Sequence, residues 1–152
     1  MVEIYEQEEV CFDSTDVEFA VQRGRGEKTE FYPTIPDEAG RLAATACSLA
    51  NSGGGQILLG VSKEGTIVGV DESAIESQAV EILKRKIERV LDMKFVTSSV
   101  DIEGDTIILI WVSEFREFPL AADGRFYQRH QKEDIRLSPD EVSRLMNRTS
   151  ND

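Results

Sequence analysis

The chain has 152 residues and a mass of 17.0 kDa, enough for one domain with a core and too short for two of ordinary size. Its residues are 40% hydrophobic and 30% charged, which excludes disorder throughout. With no long apolar run, neither a membrane span nor a secretory leader is expected, and the expected setting is cytoplasmic.

Acids outnumber bases by 29 to 17, a net charge of −12. Seven of those acids fall within residues 1–22, which hold no Lys or Arg, so the rest of the chain carries −5. A polyanion is repelled by such a molecule unless cations gather on one face. Cys11 and Cys47 form no CxxC pair, and His130 is the single histidine; no multi-histidine metal site can be assembled.

Residues 1–22 read as an acidic arm or edge strand, with Val17 to Val21 alternating before the Arg23-Gly24-Arg25-Gly26 turn. Thr29 to Tyr32 is a second extended piece, closed by Pro33 and Pro36. From 37 to 50, Ala39, Leu42, Ala43, Ala46, Leu49 and Ala50 recur at helical spacing, and Asn51-Ser52-Gly53-Gly54-Gly55 ends that helix. Ile57 to Val61 reads as a central strand, turned at Lys63-Glu64-Gly65 into a hairpin partner at 66–70.

Ser73 and Glu76 have the spacing of a capping box, with Ile75, Ala79, Leu83, Ile87, Val90 and Leu91 as the stripe of a long helix. Strands follow at 95–102 and 106–112, joined across Glu103-Gly104-Asp105, and a shorter one at 124–129. Ser138-Pro139-Asp140-Glu141 opens a last helix, and 147–152 is expected to be a frayed tail. Hairpins interleaved with helices give an α+β class, a mixed and mainly antiparallel sheet with about three helices packed on it. A single domain is expected over 23–147.

The run Ser48 to Val61 is the most informative stretch. A glycine loop could cradle phosphate, but such loops run from a strand into a helix amino terminus. This one leaves a helix carboxyl end, and no Gly-Lys-Ser/Thr follows. A helix cap and close strand packing explain its glycines.

Several separated motifs occur in one order: Thr29-Glu30-Phe31-Tyr32, Leu49-Ala50-Asn51-Ser52-Gly53-Gly54-Gly55, Leu59-Gly60-Val61, Gly65-Thr66-Ile67-Val68-Gly69, Phe126-Tyr127-Gln128-Arg129 and Leu137-Ser138-Pro139-Asp140-Glu141. Together, over residues 24–147, they resemble the AlbA-like domain of the Schlafen family, found also in prokaryotic transcriptional regulators. The resemblance implies nucleic-acid binding, DNA or RNA, serving transcriptional regulation or defence. It also implies, for some members, metal-dependent RNA cleavage by three acids.

Of those acids Glu30 alone is matched here. Arg25 stands where the first is expected, with Glu27 displaced from it, and Ser62-Lys63 takes the third position, with Glu64 nearby. A second register places Asp13 to Phe19 on the acidic motif. The expected function is therefore a non-catalytic nucleic-acid-binding domain without a cofactor. The alternatives are an Mg²⁺- or Mn²⁺-dependent endoribonuclease using Glu27, Glu30 and Glu64, and a nucleotide (ATP)-binding or protein-interaction module.

Candidate nucleic-acid contacts are Arg23, Arg25, Lys28, Arg125, Tyr127, Arg129, Lys132 and Arg136, with alternation setting Arg125, Tyr127 and Arg129 on one strand face. Lys84, Arg85, Lys86, Arg89 and Lys94 form a further basic group, which a solvated helix face also explains. Asn51, Gly54, Gly55, Gly60, Gly65 and Gly69 are expected to shape the scaffold. The resemblance implies paired lobes, hence a homodimer.

Overall fold

The computed structural model describes residues 12–71, 74–87, 93–116 and 119–150, the last three as backbone. Helices are α1 (Ser14–Arg23), α2 (Ala39–Asn51), α3 (Ile75–Lys86) and α4 (Pro139–Ser150). Strands are β1 (Thr29–Tyr32), β2 (Gly55–Leu59), β3 (Phe95–Ile102), β4 (Asp105–Val112), β5 (Ala121–Ala122), β6 (Arg125–His130) and β7 (Glu133–Arg136). A four-stranded sheet runs in the order β1-β2-β4-β3, and a three-stranded one in the order β5-β6-β7. β1 and β2 are parallel, joined through α2, and all other pairings are antiparallel. The expected α+β class is the one observed.

The larger sheet is buried on both faces. Leu42, Ala46 and Leu49 of α2 and Leu83 of α3 pack with Ile57, Leu59, Ile108 and Ile110 on one side. Val17 and Ala20 of α1 pack with Phe31, Leu58, Ile107 and Leu109 on the other. A strand covered twice must be apolar at every position, which is why β2 reads Ile57-Leu58-Leu59 without alternation.

The edge strand expected at 17–21 is corrected: α1 occupies it. Asp13 caps the helix, its carboxylate accepting from the amides of Thr15 and Asp16 at 3.0 and 3.4 Å, while Asp16 accepts from the Asp13 amide at 2.8 Å. That reciprocal cap selects the helical period. Val17 and Ala20 are buried and Phe19 is left 61% exposed. Residues 1–11 of the acidic arm expected over 1–22 lie outside the described residues.

The hairpin expected over 57–70 is reduced to one bridge, Val61 to Ile67. Gly60 bends the chain at φ 105°, and the Val68 and Gly69 amides both donate to its carbonyl at 2.8 Å. The second long helix ends at Lys86; Ile87 is extended and pairs with Ala122. Ser73 and residues 88–92 lie outside the described residues, and Glu76 accepts a hydrogen bond from Thr97 at 2.7 Å. The last helix continues through the expected tail to Ser150.

β5 and β7 carry no apolar alternation and exist through pairing with β6. Asp123-Gly124, both at positive φ, turns β5 into β6, and Gln131, at φ 56°, turns β6 into β7. Asn51 fastens this small sheet to the end of α2. Its Nδ2 donates to the Leu120 and Tyr127 carbonyls at 3.1 and 2.9 Å, and its Oδ1 accepts from the Leu120 amide at 2.8 Å.

Candidate nucleic-acid interface

Where the small sheet meets α2 and β1, the chain forms an open cleft of about 610 Å³. Its floor is a closed polar network. Glu30, on β1, is 3% exposed and accepts from Arg25 Nε at 3.0 Å, from Arg129 Nη2 at 2.6 Å, and from Lys63 Nζ. Arg129, on β6, also reaches Asp134 of β7 at 2.8 Å through Nη1, and the Gly26 and Thr29 carbonyls at 3.0 and 3.1 Å.

Asp134 accepts in turn from the hydroxyls of Ser48 and Thr45 on α2. Thr45 spends its proton there, so the Tyr32 hydroxyl is the donor in the 2.7 Å Tyr32–Thr45 bond. No buried side-chain nitrogen or oxygen among the described residues lacks a partner.

Burial pushes the Tyr32 phenol above its usual pKa, against the lowering effect of the Thr45 bond. Burial likewise pulls the Lys63 ammonium below its usual value, although its bond to Glu30 works in the other direction. Lys63 stands over the Tyr32 ring at 3.9 Å from the centroid, an arrangement that offsets part of its lost hydration. For Arg129 burial works to lower the pKa, but the hydrogen bonds it donates to Glu30 and Asp134, with their negative charge, outweigh burial and its pKa is raised.

The expected open arginine face of β6 is thus corrected at Arg129, whose side chain is 1% exposed. Strand alternation gives a side chain its face but not its depth. Here α2 covers the strand's far end, with Ser52 Oγ accepting from the Arg129 amide at 2.9 Å. Arg25, Arg125, Tyr127 and Lys132 do line the cleft, and Arg41 of α2 joins them. Arg41 escaped the sequence reading because it falls inside a helical stripe read for its apolar neighbours.

Arg23 and Lys28 lie elsewhere, beside the triple glycine, and Arg136 lines neither place. Lys86 pairs with Asp123 at 3.5 Å, and Arg89 lies outside the described residues. The cleft is lined by four cations and by Glu30, Glu38, Asp123, Glu133 and Asp134. Lys63, Lys86 and Arg129 pair with three of those five carboxylates. The lining itself is four cations to five carboxylates; the three partners stand outside it and leave Glu38 and Glu133 without an ion pair among the described residues.

A divalent ion does not fit this floor. Both Glu30 oxygens already face cations, while Glu27 and Glu64 are exposed. Among the described residues no three His, Cys, Asp or Glu side chains are grouped to hold a metal. The trio Glu27, Glu30 and Glu64 of the nuclease alternative is not assembled, because metal-assisted cleavage needs carboxylates converging on the ion. No helix among the described residues is long and apolar enough to cross a membrane.

Of the scaffold residues, Gly54 and Gly60 have backbone requirements that only glycine meets easily. At φ 89°, a Cβ on Gly54 would stand 2.9 Å from the Val112 carbonyl oxygen. At φ 105°, one on Gly60 would stand 3.1 Å from that of Thr106. Both positions hold β2 against β4.

No curated protein matches the chain. Among solved structures, the DIP2311 protein from Corynebacterium diphtheriae superposes with a TM-score of 0.61 at 18% identity over 88% of this chain. That likeness concerns the fold alone, and this chain spans 28% of that protein's length. The family model described as Schlafen, AlbA_2 matches residues 13–138, from the cap of α1 to the start of α4. The chain belongs to the Schlafen AlbA_2 family.

Proposed function

We propose that this domain binds nucleic acid without cleaving it, holding the sugar-phosphate chain in the cleft between α2 and the small sheet. The observation that carries this is the set of four cations in its walls, Arg25, Arg41, Arg125 and Lys132, beside Glu30, Asp123 and Asp134 that are already paired. Arg41 and Arg125 have no ion pair among the described residues, so their guanidiniums are available for phosphate. Arg129 holds the floor and stands behind the contact rather than in it. Two copies acting together would lengthen the track, and light scattering of the purified chain checks that pairing.

The test is fluorescence anisotropy with labelled RNA and DNA across a salt series. Binding that weakens steeply with salt is expected, and Arg41→Ala and Arg125→Ala should each reduce the slope by about one. Arg136→Ala should leave it unchanged. Absence of binding at low salt, or binding indifferent to both cleft arginines, overturns the proposal.

A further inference from the structure

A second cleft, of about 300 Å³, shares no lining residue with the first. The triple glycine forms one side, and Arg23, Lys28, Gln56, Trp111 and Glu114 stand around it. Its backbone is a poor anion cradle. The Ser52 and Gly54 amides are spent on the Leu49 carbonyl at 3.0 and 2.7 Å, closing the carboxyl end of α2.

Side chains must therefore supply the recognition. Lys28 crosses over Gly53, its Nζ lying 2.5 Å from where a Cβ on that glycine would be. Neither Arg23 nor Lys28 has a carboxylate within 4.0 Å among the described residues. Glu114, the acid of this cleft, pairs with Arg116 at 3.0 Å. Trp111 is half-buried on β4, packed against the core that faces α1, and Gln56 is its partner in the β2–β4 register.

The geometry points to a subsite for one unpaired nucleotide of a single strand: the Trp111 indole stacks the base, the Gln56 amide meets its edge, and Arg23 and Lys28 hold the adjoining phosphate. This chemistry is sequence-tolerant, since every base has a π-face. A cleft this small admits one unit of a polymer and not the width of a duplex. The subsite rests on the nucleic-acid function proposed above and extends it. Arg25 lines the first cleft and Arg23 and Lys28 the second, so one short turn serves both, and a strand crossing it touches both.

Trp111 is the single tryptophan of the chain, so intrinsic emission reports this cleft directly. The full chain is titrated with an end-labelled single strand of about ten nucleotides, within the span such surfaces cover, and in parallel with its duplex. Tryptophan emission and label anisotropy are read together. Saturable quenching that tracks anisotropy for the single strand and is absent for the duplex supports the subsite.

Trp111→Leu and the Arg23→Ala/Lys28→Ala pair should each weaken single-strand binding about tenfold or more. The paired variant leaves the indole in place and reports through its emission, with circular dichroism confirming its fold. Anisotropy that reports binding while emission stays constant overturns the subsite and leaves the first cleft standing. Equal quenching by the duplex also overturns it. No response in either signal removes both proposals.

Discussion

Arg129 and Glu30 meet at 2.6 Å with side chains 1% and 3% exposed, although 99 positions separate them in the chain. The pair joins β6 to β1 and hence the small sheet to the large one. Removing one partner of such a pair leaves a buried charge uncompensated. The cost comes from desolvation more than from the lost attraction.

Arg129→Met is therefore expected to cost about 3–5 kcal/mol in denaturant unfolding, a large share of the stability of a domain this size. Arg125→Ala, at an exposed position on the same strand, should stay within about 0.5 kcal/mol. Equal stabilities for the two variants would show that the network contributes nothing to the joint between the sheets.

Glycine replacements should divide by backbone geometry. Gly54→Ala combines a positive φ with contacts to backbone atoms at 2.9 and 3.0 Å, and a loss of about 1–3 kcal/mol is expected. Gly26 has no such φ and nothing within 4 Å of its would-be Cβ, so Gly26→Ala should be neutral or slightly stabilising through the unfolded chain. Thermal melts of the two variants check the contrast, and similar melting points would contradict the strain at Gly54.

Lys63 should titrate below its ordinary 10.5, because burial disfavours its charged form. The folded state then binds this proton less tightly than the unfolded chain. Its contribution to stability rises with pH between the folded pKa and 10.5. Glu30→Gln removes the partner that favours the charge and should lower the pKa further. NMR of the reductively methylated protein measures both values, and an upward move in Glu30→Gln would refute the assignment.

Adding Mn²⁺ should leave the melting point of the parent chain unchanged, since Glu30 already faces Arg25, Lys63 and Arg129. An Arg25→Glu/Lys63→Asp variant replaces two of those cations with carboxylates and should gain a Mn²⁺-dependent rise. Stabilisation grows with the logarithm of metal concentration above the dissociation constant. A rise in the parent itself would mean that a divalent ion can be held after all.

Elements stabilised by neighbours in sequence are legible in the sequence itself. β3 matches its expected bounds, and its hairpin to β4 turns where Glu103-Gly104 takes positive φ. The apolar stripe of α2, its glycine stop and the Ser138 start of α4 are local in the same way. At α4 the Glu141 carboxylate accepts from the Ser138 amide at 2.7 Å. α1 is not read from the sequence: the alternation of Val17, Phe19 and Val21 reads as a strand, and it outweighs the Asp13–Asp16 cap spacing.

Distant pairing settled the remainder. β7 is a strand because β6 lies beside it, and its polar residues contain no period that could announce it. Arg125, Tyr127 and Arg129 share parity along β6, yet packing of α2 sends one arginine into the interior and leaves the others in a cleft. Burial depends on what covers a side chain, and that cover comes from segments up to a hundred positions away. Motif order along the chain could name the family, while the division of its cations between floor, first cleft and second cleft was fixed by the fold.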